Sequence, residues 1–319
     1  MPLLIVGSVA FDSIKTPFGK VDKTLGGSAS YFSLAASFFD SPSIVAIVGK
    51  DFTNKHRAIF NRHKIDVTGL EKAKGKSFAW GGKYSFDLNN RETLYTKLNV
   101  FENFQPKLLP HHKNISRVFL GNIHPKLQIE VLRQISKPKL VGLDTMNYWI
   151  EKAPKELARV LRLVDIFVIN DSEARELSGE HNLLKAARKI LGMMGKNPTL
   201  IIKRGEYGLL MFRPGFPSPS GRGVRGEGLM QIFHLPGFPL EDVIDPTGAG
   251  DSFAGGLMGY LCRVGSRPYP TWNDLKRACV AGSVMASFCC EKLGTNRLQK
   301  INSKDIKRRL IEFKKLTDF

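Results

Sequence analysis

Short apolar runs separated by amphipathic stretches limit what this chain can become more than any other feature of it. Residues 3–9, 43–48, 118–120, 139–143, 165–169 and 200–202 are runs of the kind that fill a strand buried on both faces. Between them, residues 28–39, 54–63, 125–135, 155–163 and 183–194 repeat apolar side chains at helical intervals. The alternation predicts an α/β fold of three layers, a mostly parallel central sheet covered by helices on both faces.

One region breaks the rhythm. Residues 77–98 carry Phe78, Trp80, Tyr84, Phe86, Leu94 and Tyr95 in partial alternation with polar residues, punctuated by Gly81-Gly82 and Asn89-Asn90. This predicts antiparallel strands joined by turns, a small β-sheet inserted into the α/β body, either as a lid over its mouth or as a structural flap. Residues 214–228 are rich in Gly, Pro and Ser and cannot support a core. They read as a flexible surface loop between strands at 208–212 and 229–234. A chain of 319 residues can form one large α/β domain or two small ones, and its core needs no disulfide or metal staple.

The 48 Lys and Arg against 29 Asp and Glu leave a formal charge of +19, a balance that nucleic-acid-binding proteins share. Here the basic residues are dispersed along the chain. The short clusters Lys307-Arg308-Arg309 and Lys314-Lys315 lie on a stretch of helical spacing and read as a solvated face. Nucleic acid is therefore not the expected partner, and attraction of a small polyanion is use enough for the field. The cysteines at 262, 279, 289 and 290 lack the spaced pairs of a zinc site. They read as buried thiols in a reducing cytoplasm. The apolar start of the chain reads as a first strand rather than a leader. No run of 18 apolar residues predicts a membrane span.

The most specific pattern is Val243-Ile244-Asp245-Pro246-Thr247-Gly248-Ala249-Gly250-Asp251-Ser252-Phe253, followed by Ala254-Gly255-Gly256. An apolar lead-in reaches Asp245-Pro246, the chain turns through the small residues, and helical spacing follows. Small residues let successive backbone N–H groups converge at a helix start, which makes an anion site. Asp251 falls in the first turn of that helix. A carboxylate there would repel a resting phosphate. It is well placed to accept the proton of an attacking hydroxyl while the amides hold a transferring phosphoryl group. A capped helix after a tight turn accounts for one glycine and one aspartate only. Gly255 and Gly256 each cost roughly 1 kcal/mol against alanine inside a helix, so a ligand or another backbone should approach them closely.

Asp-Pro-Thr-Gly-Ala-Gly-Asp-Ser-Phe at 245–253 resembles the C-terminal signature of the ribokinase, or PfkB, family of carbohydrate kinases. Gly7-Ser8-Val9-Ala10-Phe11-Asp12 resembles that family's first strand and substrate aspartate. Gly26-Gly27-Ser28-Ala29 resembles its paired-glycine substrate loop. The matches run in family order over nearly the whole chain. The resemblance implies a single ribokinase-like kinase domain over residues 1–319, with lid strands near 12–25 and 76–100. It implies transfer of the γ-phosphate of ATP to a hydroxyl of a small sugar or sugar-like molecule.

Carried over residue by residue, the resemblance makes Asp251 the base and the amides of Gly248, Ala249 and Gly250 the anion hole. Asp12, Gly26 and Gly27 would contact the sugar. Asn170 and Glu173 match an Asn-x-x-Glu element linked to Mg²⁺ and phosphate placement. Lys203 and Gly205 match a turn bordering the nucleotide, and the segment ending at Gly294 matches the loop flanking adenine. Asp245 and Thr247 stand where many members bind a monovalent cation such as K⁺. Pairing of lids would give a homodimer. Two departures stand out: Ser30, Tyr31 and Phe32 occupy the place where members often carry Asn, and the 214–228 loop is foreign to the pattern. A nucleoside of the inosine or adenosine type and a cyclitol are the alternative acceptors. A non-catalytic nucleic-acid-binding or regulatory relative is the alternative of another class, against which the intact Asp251 and its turn argue.

Three further groups read two ways. Asp144 follows a strand and faces either the cleft or a surface turn. Arg91 in the lid meets either substrate or solvent. His111-His112 has no metal-partner spacing and reads as a surface loop.

Overall fold

The computed structural model of the chain describes residues 2–215, 230–265 and 269–317. Strand β1 (Leu3–Val6) shows why the sheet is central. Leu3 and Ile5 enter one core, Leu4 and Val6 the other, and all four are fully buried. The chain then runs through β2 (Ala10–Thr16), β3 (Gly19–Gly26), α1 (Ser28–Ala36), β4 (Pro42–Val48), α2 (Asn54–Arg62), β5 (Asp66–Lys72), β6 (Phe78–Tyr84) and β7 (Arg91–Lys97). Next come α3 (Pro110–Lys113), β8 (Arg117–Leu120), α4 (Pro125–Gln134), β9 (Leu140–Asp144), α5 (Asn147–Lys152), α6 (Pro154–Leu161) and β10 (Ile166–Asn170). The last part holds α7 (Asp171–Ser178), α8 (Leu183–Met193), β11 (Thr199–Lys203), β12 (Leu209–Pro214), β13 (Met230–Leu235), α9 (Ala249–Val264), α10 (Trp272–Cys290) and α11 (Ser303–Thr317).

The main sheet has the order β13-β12-β11-β10-β9-β8-β1-β4-β5. It is parallel from β11 through β5, and β12 and β13 add antiparallel strands at one edge. Phe60 of α2, Phe253 of α9, Phe288 of α10 and Phe313 of α11 fill the core on one face. Val131 of α4, Leu157 of α6 and Ile190 of α8 fill the other. This is the expected three-layer sandwich.

Four strands form a second, smaller sheet in the order β3-β2-β6-β7, as expected of the inserted strands. Its two hairpins are antiparallel, while β2 and β6 run parallel. The run expected as one strand at 3–9 therefore divides after Val6, and the chain leaves the main sheet at Gly7. There the Ser8 amide and hydroxyl bond the Ser28 hydroxyl, tying the exit to the start of α1. Strand β5 has no apolar run to announce it, because it is an edge strand buried at only Val67 and Leu70.

The helix glycines of α9 have a packing explanation. A Cβ on Gly255 would strike the carbonyl of Phe32 in α1, and one on Gly256 would lie 2.8–2.9 Å from Met285 and the Ala281 carbonyl in α10. Neighbouring backbone, not ligand, requires them. On α11, Lys307 and Arg308 are exposed as expected, but Arg309 turns inward, 3.7 Å above the Phe288 ring and bonded to Glu291. All four cysteines are free. No helix among the described residues is long and apolar enough to cross a membrane. Most of the 214–228 segment lies outside the described residues.

Candidate active site

Three adjacent parallel strands end in polar residues at the same edge of the sheet: β9 at Asp144, β10 at Asn170 and β11 at Lys203. Ligands gather at this edge in open α/β sheets. Register places Asn170 beside Lys203. Asn170 also caps α7: its side-chain oxygen accepts from the Glu173 amide at 2.8 Å, while a Glu173 oxygen accepts from the Asn170 amide at 3.0 Å. The Asn-x-x-Glu spacing is thus first a capping box, and that box holds the Glu173 carboxylate at the sheet edge.

Across from them, α9 begins after Gly248, whose φ of 77° lies in the left-handed region. A side chain there would also collide with the ring of Tyr31, which packs under the turn. The buried aromatic at 31 thus supports the anion turn. The Ala249 amide donates to the Pro246 carbonyl at 3.1 Å, so it is already part of the turn. The amides of Gly248 and Gly250 have no such acceptor among the described residues, as first-turn amides do not. Lys203 stands against this turn, with its Nζ 2.6 Å from where a Cβ on Gly250 would lie. An ammonium and free helix amides together make a strongly anion-attracting point.

Carboxylates crowd the same point. Burial raises Asp251 to about 6, against the pull of Lys203 and Arg91. Burial and then the charge of Asp251 push Asp144 well above the usual carboxylate range, with Lys203 opposing. Glu173 is raised by burial and held back by Lys203 and the Asn170 amide. The Asp144 Oδ1 is buried and has no hydrogen-bond partner among the described residues.

Asp245 is fully buried, and its two oxygens accept from the Thr247 amide at 2.9 Å and the Gly294 amide at 2.7 Å. It braces the turn from below and joins it to the loop at Gly294. A Cβ on Gly294 would lie 2.6 Å from Thr24 of β3, so this loop also touches the second sheet. Gly205 adopts a positive φ of 57° at the end of β11, with open space about its Cα.

The lid supplies the facing wall. Asp12 of β2 is buried and raised to about 7, by burial first and by Asp245 and Asp251 after it, while the Gly27 amide and Arg91 oppose. Gly26 lies beneath it, and a side chain there would overlap the Asp12 carboxylate. Gly27 takes φ 87° as the N-cap of α1, where a Cβ would meet the Ser8 carbonyl at 2.5 Å. Register pairs Asp12 with Trp80 of β6, and Arg91 lies 5.1 Å above the indole. Four residues further along β6, on the same face, Tyr84 accepts from the Thr247 hydroxyl at 3.0 Å. The second sheet and the turn before α9 are therefore in contact.

The structure brings Asp12, Gly26, Gly27, Asn170, Glu173, Lys203, Asp245, Thr247, Gly248, Gly250, Asp251 and Gly294 around one cleft. Asp144 belongs to the cleft rather than to a surface turn, and Arg91 faces its acids. Tyr31 stood out in sequence only as a departure from the family pattern, and Trp80 and Tyr84 only as members of an alternating strand. Their place follows from strand register and from contacts that join distant segments, such as Tyr84 with Thr247.

The chain matches the model of the pfkB family carbohydrate kinases over residues 5–301. It is 26% identical over 268 residues to a cytidine kinase of Thermococcus kodakarensis, an alignment spanning 82% of this chain and 88% of that protein. The ribokinase structure of Giardia lamblia superposes with a TM-score of 0.77 at 18% identity, covering 98% of each chain. The nucleoside kinase of Burkholderia thailandensis in complex with inosine superposes with a TM-score of 0.75 at 19% identity, covering 99% of this chain and 98% of that one. The chain belongs to the pfkB family of carbohydrate kinases and is an ATP-dependent kinase acting on an alcohol group.

Proposed function

We propose that this protein phosphorylates a ribose hydroxyl of a nucleoside, with Asp251 as the base and Lys203, Gly248 and Gly250 as the cradle of the transferring phosphate. The observation that carries the chemistry is the meeting of the Lys203 ammonium, free helix amides and a carboxylate raised to about 6 at one point. A base of that pKa is ionised at neutral pH yet basic enough to take a hydroxyl proton as the oxygen attacks. The amides and Lys203 stabilise the phosphoryl oxygens, while the Ala249 amide mainly fixes the turn.

Asp12, over Gly26 and beside Gly27, would hold two sugar hydroxyls. Trp80 beside Asp12 offers an aromatic face for a base attached to the same sugar. That, with the nucleoside kinases among its relatives, supports a nucleoside over a free sugar or cyclitol.

Mg²⁺ fits the donor set at Asp144 and Glu173, since both offer oxygen and Asp144 Oδ1 is buried without a partner. When bound, it would neutralise charge on the phosphate oxygens. The geometry gives no such support for K⁺. Both Asp245 oxygens accept amides, Thr247 donates to Tyr84, and no step is assigned to a monovalent ion.

ADP release from ATP, measured with cytidine, inosine, adenosine, ribose and inositol, tests the proposal. Turnover well above the ATPase background with at least one nucleoside, and higher kcat/KM than with ribose, is expected. Turnover confined to ribose or inositol would overturn the substrate assignment. Failure on every acceptor would overturn the transfer itself.

A further inference from the structure

His111 and His112 are not a surface loop. They form half of α3, which leads into β8, while Asp66 opens β5. Both lie at the edge of the sheet opposite the catalytic one, because β5 and β8 run parallel to the strands that end at the site. The Nε2 atoms of His111 and His112 lie 3.3 and 3.4 Å from the same Asp66 oxygen, Oδ2. The three atoms are all within 4.8 Å of one another.

Those distances are long for a charge-assisted hydrogen bond, which measures about 2.7–2.9 Å. They match the spacing of ligand atoms around a tetrahedral ion: with bonds of 2.0–2.1 Å, neighbouring donors stand about 3.3–3.4 Å apart. The donors are also pre-arranged. The second Asp66 oxygen accepts from the Thr68 amide at 2.9 Å and hydroxyl at 2.7 Å, which leaves Oδ2 turned to the imidazoles. His112 is fully buried and packs over Gly69, where a Cβ would meet its ring at 2.8 Å. His111 is about half exposed, at 54%, so an ion could enter from solvent and keep a water as its fourth ligand.

We propose that Asp66 Oδ2, His111 Nε2 and His112 Nε2 form a three-ligand site for a divalent transition-metal ion of the Zn²⁺ type, separate from the kinase cleft. Two imidazoles and one carboxylate select such ions over Mg²⁺ and Ca²⁺, which take oxygen.

The bound ion would join β5 to α3. The segment between them contains both β6 and β7, the outer half of the lid sheet. The ion would thus close a chain segment at the far edge of the sheet and is not a participant in transfer.

The test uses untagged wild-type protein, His111→Ala and Asp66→Asn, titrated with Zn²⁺ against a chromophoric chelator and followed by thermal melting. One equivalent should bind to wild type, and Zn²⁺ should raise its melting temperature by several degrees. His111→Ala should weaken binding by at least about 100-fold and abolish the thermal shift, since even outer partners of a metal ligand are worth 10–100-fold. His111 is outside the kinase cleft, so unchanged turnover of that variant without metal shows that it is folded. Co²⁺ should give the visible bands of a tetrahedral site in wild type alone. Absence of stoichiometric binding, or binding retained in both variants, would overturn the proposal.

Discussion

Replacing Asp251 by Asn should make the protein more stable and far less active, and both effects follow from one burial. The carboxyl is raised from its ordinary 3.8 to about 6 by burial, with Lys203 and Arg91 only partly offsetting the loss of water. At 1.36 kcal/mol per pKa unit, that gap corresponds to about 3 kcal/mol carried by the folded state above pH 6. The sign is fixed by proton counting. Between 3.8 and about 6 the folded chain binds more protons than the unfolded one, so this group's contribution is present below 3.8 and lost as pH rises through 6. The Asn variant has no such loss. Lys203 forfeits a counter-charge, so a net gain of about 1–3 kcal/mol is expected at pH 8, and roughly half of that at pH 5. Urea unfolding of both proteins at the two pH values measures it. Activity moves the other way, with kcat down about 10²–10⁴-fold as expected for a lost general base, and ATP affinity retained. Wild-type kcat should itself fall below about pH 6. Equal stability of the two proteins at pH 8, or comparable turnover, would refute the reasoning.

Two other substitutions separate the walls of the cleft. Gly26→Ala places a methyl in the space of the Asp12 carboxylate, so the KM for the acceptor should rise at least tenfold while the KM for ATP is unchanged. Lys203→Met removes the cation shared by the Asp144, Glu173 and Asp251 carboxyls. Its kcat/KM for ATP should fall by about 10²–10³, and the acidic limb of its pH profile should move to higher pH.

The order of layers was readable because strands such as 43–48 must be apolar on both faces, a demand that composition alone reveals. β5 was not, since an edge strand buries one side and its sequence, Asp-Val-Thr-Gly-Leu-Glu-Lys, resembles a loop. The anion turn was readable because φ above zero and a helix start select glycine, and Gly248 has that conformation. Gly255 and Gly256 were ambiguous for the opposite reason. Absence of a side chain says that something approaches, and only the packed neighbours α1 and α10 say what. Asp144, Arg91 and the His111-His112 pair were visible as residues but undecidable. Their partners lie far off in sequence: Asp66 is more than forty positions from the histidines it faces.

The charge balance of the cleft makes a last prediction. Asp144, Glu173 and Asp251 converge where polyphosphate should bind, Asp12 faces them from the lid, and burial raises all four. Lys203 and Arg91 are the cations that the same acids feel, so the pocket is acidic before a nucleotide arrives. Adding a bare tetra-anion to such a place is unfavourable, whatever the amides contribute. Affinity must therefore depend on a cation arriving with the phosphates, and Asp144, with one oxygen buried and unpaired, is the group to receive it. Asp144→Asn tests this because it removes one ionisable acid and one oxygen ligand while keeping the shape of the side chain. Metal-free ATP should bind the variant no more weakly than it binds wild type, while Mg·ATP should support less turnover, by about 10-fold or more. Isothermal titration with and without EDTA, beside initial rates over a Mg²⁺ series, reads both. If wild type held metal-free ATP as tightly as Mg·ATP, the excess of acid would have some other purpose and Asp144 would lose its assigned part.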